Sequence, residues 1–154
     1  MQEIEQFIPR GYCRSCRGCC RFSQPAGAWK PHFLDLEERV AEFVRIVPSK
    51  EPGENNFVCA CLDPGTSACE VYAQRPLECR LYPFLLERQE DGLFLVVDER
   101  CPYVSERSES GEFSSYVARL EAFFAGWEWQ EILQRNRERF QSYPGVRRLG
   151  KVAP

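Results

Sequence analysis

The chain has 154 residues, 44% of them hydrophobic and 28% charged, with a formal net charge of −3. This is enough apolar mass for a core, and the expected class is α+β in a single domain, residues 1–154. The mild charge gives no electrostatic case for nucleic acid, no apolar run reaches bilayer-spanning length, and the polar, acidic start lacks a signal-peptide pattern, so the cytoplasm is the expected compartment.

Residues 1–12 read as a lead-in ending at Pro9 and Gly11. Residues 13–20, rich in Gly, Ser and Arg and without apolar periodicity, read as a metal-wrapped loop, and residues 23–31 as a connector. Leu36, Val40, Phe43, Val44 and Val47 fall at helical spacing, which predicts a helix over 35–47 with Asp35 as its N-cap and Pro48 as its stop. Glu37, Glu38, Glu42 and Arg45 would form its wet face. Pro52, Gly53 and two Asn make 49–56 a loop, and 57–62 a strand that carries Cys59 and Cys61 on one face.

Asp63-Pro64-Gly65 signals a turn, followed by a short helix over 68–73 capped by Ser67. Pro76 suits the first turn of another short helix ending near Leu81. The Asp91-Gly92 pair between apolar runs 84–87 and 93–97 predicts a hairpin, whose end would carry Cys101 towards the other cysteines. After a polar loop over 105–112, residues 114–140 read as a C-terminal helix striped by Val117, Leu120, Phe124, Trp127 and Leu133, with Gly126 as a bend or a break. Phe123, Phe124 and Trp127 read as core, and the segment after Tyr143 as a loose tail.

The chemistry lies in the nine cysteines. An odd number in a chain without an export pattern argues against a disulfide framework. The run Cys13-x-x-Cys16-x-x-Cys19-Cys20 is instead a thiolate pattern for zinc or an iron–sulfur cluster, because a short spacing aims successive sulfurs at one centre. Adjacent side chains such as Cys19 and Cys20 generally point apart, so the pair favours two nearby centres or a multinuclear cluster over one small mononuclear site. Arg10, Arg14, Arg17, Arg21, Arg75 and Arg80 either favour thiolates nearby or simply solvate a loop. His32, the lone histidine, is a lesser ligand candidate. There is no Ser-His-Asp pattern, phosphate-binding glycine loop or HExxH motif.

These residues resemble the YkgJ-type CxxCxxCC cysteine-cluster family, known as a zinc- or iron-chelating domain. Its opening motif matches Cys13, Cys16, Cys19 and Cys20. Its second hallmark matches Cys61-Leu62 and then Cys69-x-x-Tyr72-x-x-Arg75-Pro76-x-x-Cys79-Arg80-x-x-Pro83, and its later Cys-Pro motif matches Cys101-Pro102. The resemblance covers 13–103 and implies a metal set of Cys13, Cys16, Cys19, Cys20, Cys61, Cys69, Cys79 and Cys101. Cys59 is the addition to the framework, and Arg75 and Pro76 are expected to shape the site rather than react.

What the resemblance implies for function is a cysteine-ligated metal, expected as an iron–sulfur cluster ([4Fe–4S]) with a redox or cluster-dependent role. Zinc (Zn2+) in a structural domain that binds a protein partner through the C-terminal helical segment is the alternative. A related segment in flagellin lysine methylases adds a third reading, a methyltransferase-like enzyme, although no methyl-donor or lysine pocket is legible in this sequence.

Overall fold

The computed structural model describes residues 4–51, 53 and 55–154, so the first three residues and Pro52 and Glu54 of the expected loop lie outside the described residues. It combines helices with small antiparallel sheets, an α+β architecture. The chain divides into two compact units, one of residues 8–79 and one of residues 80–154 with the N-terminal residues through Phe7.

The unit of residues 8–79 opens with helix α1 (Arg10–Cys16), not the expected loop. The helix buries none of its residues, which is why it leaves no apolar periodicity in the sequence. Arg17 ends it in the left-handed conformation, donating its backbone N–H to the Cys13 carbonyl at 3.2 Å. Cys20 is also left-handed, with φ 62°, and turns the chain into strand β1 (Arg21–Phe22).

The helix expected over 35–47 is cut short. A 3-10 turn (Asp35–Glu37) leads into α2 (Glu38–Ala41), and Ile46–Pro48 is strand β2. The β-branched Val44, Ile46 and Val47 favour an extended chain, and pairing with β3 (Phe57–Cys59) outweighs the helical spacing. The predicted faces hold in part: Val44 is buried, and Glu38, Glu42 and Arg45 are exposed, as expected. Leu36 and Phe43 are exposed, whereas Glu37, assigned to the wet face, is only 6% exposed. Its carboxylate accepts the Leu34 N–H at 3.0 Å and the Leu77 N–H at 2.7 Å. Asp35 does not cap the helix; its carboxylate accepts from Leu36 N–H.

β3 is the centre of a three-stranded antiparallel sheet ordered β1-β3-β2. The chain then turns at Ala60 and Cys61 into a second, two-stranded ladder, β4 (Leu62–Asp63) with β5 (Ala68–Cys69). Residues 68–73 are therefore not the expected helix. The Asp63 carboxylate takes the N–H groups of Gly65 at 2.8 Å and Thr66 at 3.3 Å, and left-handed Ser67 completes a tight reversal. A 3-10 turn (Tyr72–Gln74) follows, and Pro76 precedes α3 (Leu77–Leu81), as expected.

The other unit is built on β6 (Phe84–Gln89) and β7 (Gly92–Val97), the predicted hairpin. Gly92 supplies the φ of 151° that the turn requires, and a Cβ there would meet the Ala153 carbonyl. Helix α4 (Pro102–Ser105) begins directly after Cys101. Ser110 caps α5 (Gly111–Phe124), its hydroxyl accepting from Phe113 N–H at 3.1 Å. The helical segment expected over 114–140 breaks at Gly126, one of the two outcomes its sequence allowed. Gly126 starts α6 (Trp127–Arg135), and a 3-10 turn covers Arg137–Arg139.

The terminal segment is not a loose tail: β8 (Arg147–Ala153) pairs with β7, giving the order β6-β7-β8. Phe7, Phe84, Tyr103, Phe113 and Tyr116 form an aromatic core with ring centroids 4.9–6.0 Å apart. Trp127, read as core, is 71% exposed; Trp129, two positions on, is the buried indole against Phe124. Among the described residues, no helix is long and apolar enough to cross a membrane.

Candidate metal centre

All nine cysteines carry thiols, with no disulfide among the described residues. The short elements of the unit of residues 8–79 gather several of them. Cys13 and Cys16 sit three positions apart on α1, Cys20 at the entry to β1, Cys59 at the end of β3, Cys69 at the end of β5 and Cys79 within α3. Cys61 lies between the two sheets and donates its thiol to the Phe43 carbonyl at 3.3 Å.

Backbone pairing draws these segments together. Cys59 N–H donates to the Cys20 carbonyl and Glu70 N–H to the Cys61 carbonyl, both at 2.9 Å. Leu62 pairs with Cys69 across β4 and β5. Cys59, Cys61 and Val44 are buried as one cluster, with Cys20, Cys69, Phe22, Phe33, Leu62 and Val71 among the side chains packed against it.

The electrostatics report the same convergence. Burial pushes the Cys20 thiol up to about 11, and the neighbouring Cys69 and Cys13 add to the shift against the opposing charges of Arg75 and Arg21. Burial likewise raises Cys61 to about 11, with Cys59 and Cys69 contributing. Cys59 rises through burial and through Cys20 and Cys69, partly offset by hydrogen bonds from Cys61. Cys79 is held well above the usual thiol range by burial, then by Cys20, Cys59 and Glu78. Several thiolates this close would repel one another in a poorly hydrated site, and a bound cation is what would make them favourable together. The donor chemistry therefore fits a thiophilic metal. Among the described residues, no three or more His, Cys, Asp or Glu side chains already stand in a metal-holding arrangement, so the thiols would have to draw inward to close one.

The arginines do something the sequence left open. Arg17 donates to the Ser67 hydroxyl at 3.1 Å and the Pro64 carbonyl at 3.3 Å, and Arg21 donates to the Arg17 carbonyl at 3.0 Å. They latch the first cysteine run onto the turn between β4 and β5. Arg75 donates to the Tyr72 carbonyl at 3.0 Å and the Cys79 carbonyl at 3.3 Å while stacking on the Tyr72 ring at 3.7 Å. Arg10 also stacks on that ring, at 4.3 Å. Arg75 thus holds Cys79 in place by its backbone and lowers the cost of charge on Cys20 and Cys79. His32 faces the buried Glu78 carboxylate, which accepts its backbone N–H at 2.7 Å and lies 3.3 Å from Nδ1.

The structure packs Cys20, Cys61 and Cys69 of the expected set into one cluster with Cys59, which the set omitted, while Cys13 is near enough to raise the Cys20 thiol and Cys79 near enough to feel Cys20 and Cys59. The alternation expected to set Cys59 and Cys61 on one strand face does not hold, because the strand ends at Cys59 and the chain turns at Ala60 and Cys61. Cys16 is exposed and Cys19 half-buried in the first run, and Cys101 is a buried residue of the other unit.

Over residues 12–110 the chain matches the family model CxxCxxCC, described as "Putative zinc- or iron-chelating domain". It is also 29% identical to "Uncharacterized protein MJ0661" of Methanocaldococcus jannaschii over 147 residues, covering 83% of this chain and 79% of that protein. No solved structure matches the chain. The family match spans most of the sequence, and the chain belongs to the CxxCxxCC family.

Proposed function

We propose that this protein holds an iron–sulfur cluster, [4Fe–4S], on thiolates of the cysteine unit, and that it uses the cluster for redox or another cluster-dependent role in the reducing cytoplasm. The observation that carries the reading is the gathering of Cys13, Cys20, Cys59, Cys61, Cys69 and Cys79 from separate segments. That is more sulfur than one mononuclear zinc site closes. Such a cluster, when bound, supplies one-electron chemistry. The chain's own part is to supply sulfur, to exclude water through Val44, Phe22 and Phe33, and to offset negative charge with Arg21 and Arg75. Cys16 and Cys19, of the same unit, complete the proposed ligand pool.

Isolation of the full chain under anaerobic conditions tests this. Iron with matching acid-labile sulfide and a visible charge-transfer spectrum are expected. A colourless protein containing zinc and no iron or sulfide would overturn the cluster.

One observation favours a second reading, structural zinc. Within the cysteine unit the buried apolar side chains besides Cys59 and Cys61 are Ile8, Leu34, Val44, Pro76 and Leu77 among the described residues. A core so thin benefits from a metal that contributes folding energy. On that reading the exposed Trp127 offers a contact for a protein partner. Metal exchange without any redox signal would favour it.

A further inference from the structure

We propose that the junction of α5 and α6 docks an arginine-bearing segment of a second protein, with the Trp127 indole as its anchor. The inference deepens the partner contact raised with the zinc reading. It rests on that reading for the existence of a partner, not for the metal.

Trp127 opens α6 and is 71% exposed, the highest value among the exposed large apolar side chains described. The fold does not need it as core. Trp129 already fills that place, its ring 4.8 Å from Phe123 and 5.5 Å from Phe124 between centroids. Half-buried Phe123 and exposed Ala125 extend the apolar surface through the junction. A single exposed apolar residue is ordinary on a protein surface. An indole is a special case, because it is large and rigid, anchors many interfaces and attracts cations to its face.

The surrounding charges select the occupant. From Leu120 to Gln134 the charged residues are Glu121, Glu128 and Glu131, with no Lys or Arg among them. All three are exposed, and none forms an ion pair among the described residues. Glu131 stands four positions after Trp127 on α6 and so shares its face. Glu128 suits the start of a helix, but Glu121 lies in the last turn of α5, where the helix dipole disfavours a negative charge. Its presence there is not explained by helix stability. The surface repels nucleic acid and the anionic face of a membrane. A cationic side chain satisfies both halves of it. The planar arginine guanidinium stacks on an indole and donates to a carboxylate, a combination that suits it better than lysine.

The test uses the full chain isolated with its metal, and a synthetic peptide of alternating arginine and glycine as the probe. The indole N–H resonances of Trp29, Trp127 and Trp129 are followed by NMR, with Trp127 identified by its loss in Trp127→Ala. The peptide is expected to shift the Trp127 signal and leave the other two in place. Trp127→Ala should weaken peptide binding by about fivefold or more. Glu131→Gln should weaken it too and reduce its dependence on salt. Because Trp127 is exposed, its replacement spares the core. Equal affinity for Trp127→Ala would overturn the anchor and leave only diffuse charge attraction. A shift of the same indole with chain concentration, without peptide, would put a second copy on this face and overturn the proposal, as would the same shift with a short oligonucleotide. Metal bound per chain is measured on the same samples. A metal-loaded chain that ignores the peptide overturns the docking proposal alone, whereas peptide binding through Trp127 by a chain that holds no metal supports it and counts against the metal reading alone.

Discussion

Asp98 is 1% exposed and surrounded by donors. Burial alone would push its carboxyl up. The Arg100 guanidinium at 2.9 Å, the Tyr82 hydroxyl at 2.9 Å and the Arg100 backbone N–H at 3.1 Å outweigh that and hold it below the ordinary carboxylate value. A lowered pKa contributes stability that is fully present above the ordinary value and is lost as pH falls through the folded one. Asp98→Asn should therefore cost about 1–3 kcal/mol at neutral pH. It should also flatten the acid side of the stability profile measured by urea unfolding; an unchanged acid limb would refute this role. None of it was legible beforehand, because nothing local distinguishes Asp98 from a surface aspartate at the end of a strand. The cysteines behave differently. Their type and spacing already announced sulfur ligation, and only their spatial grouping, above all that of Cys59, needed the fold.

At the scale of elements, the readable parts were those with local chemistry. The Asp91-Gly92 hairpin and the Pro76-led helix form where the turn residues dictate. The misread parts were decided by distant partners. Ile46 and Val47 lay at the end of the expected helix, with Pro48 as its stop, but all three are claimed by β3, and Arg147–Ala153 appeared to be a tail but is claimed by β7. Ser67 appeared to be a helix cap but adopts a left-handed turn conformation shaped by Asp63. Glu37 shows the same principle as a tether, since one carboxylate satisfies amides at Leu34 and at the start of α3. Glu37→Ala would strand both N–H groups in a buried setting and should cost about 2–4 kcal/mol. Because α3 carries Cys79, the substitution should also weaken metal retention, read as metal bound per chain after dialysis. Loss of stability with full metal retention would separate the tether from the site.

For the whole molecule, the two units rest on different physics. The unit of residues 80–154 has a three-stranded sheet, a continuous aromatic core and two covering helices in α5 and α6, with Gln130 donating to the Phe124 carbonyl at 2.6 Å and the Val152 carbonyl at 2.7 Å. The unit of residues 8–79 relies on two- and three-residue strands, an arginine latch and a core part of which is thiol. Hydrogen exchange on the full chain, with its metal bound and after chelation under reducing conditions, distinguishes these directly. The amides of Cys59, Ala60 and Glu70, each paired across the cysteine unit, should lose protection on chelation, while those of β6 and β7 keep theirs. Identical protection of the cysteine-unit amides in the two states would contradict the claim that a thiolate-bound metal holds this unit together.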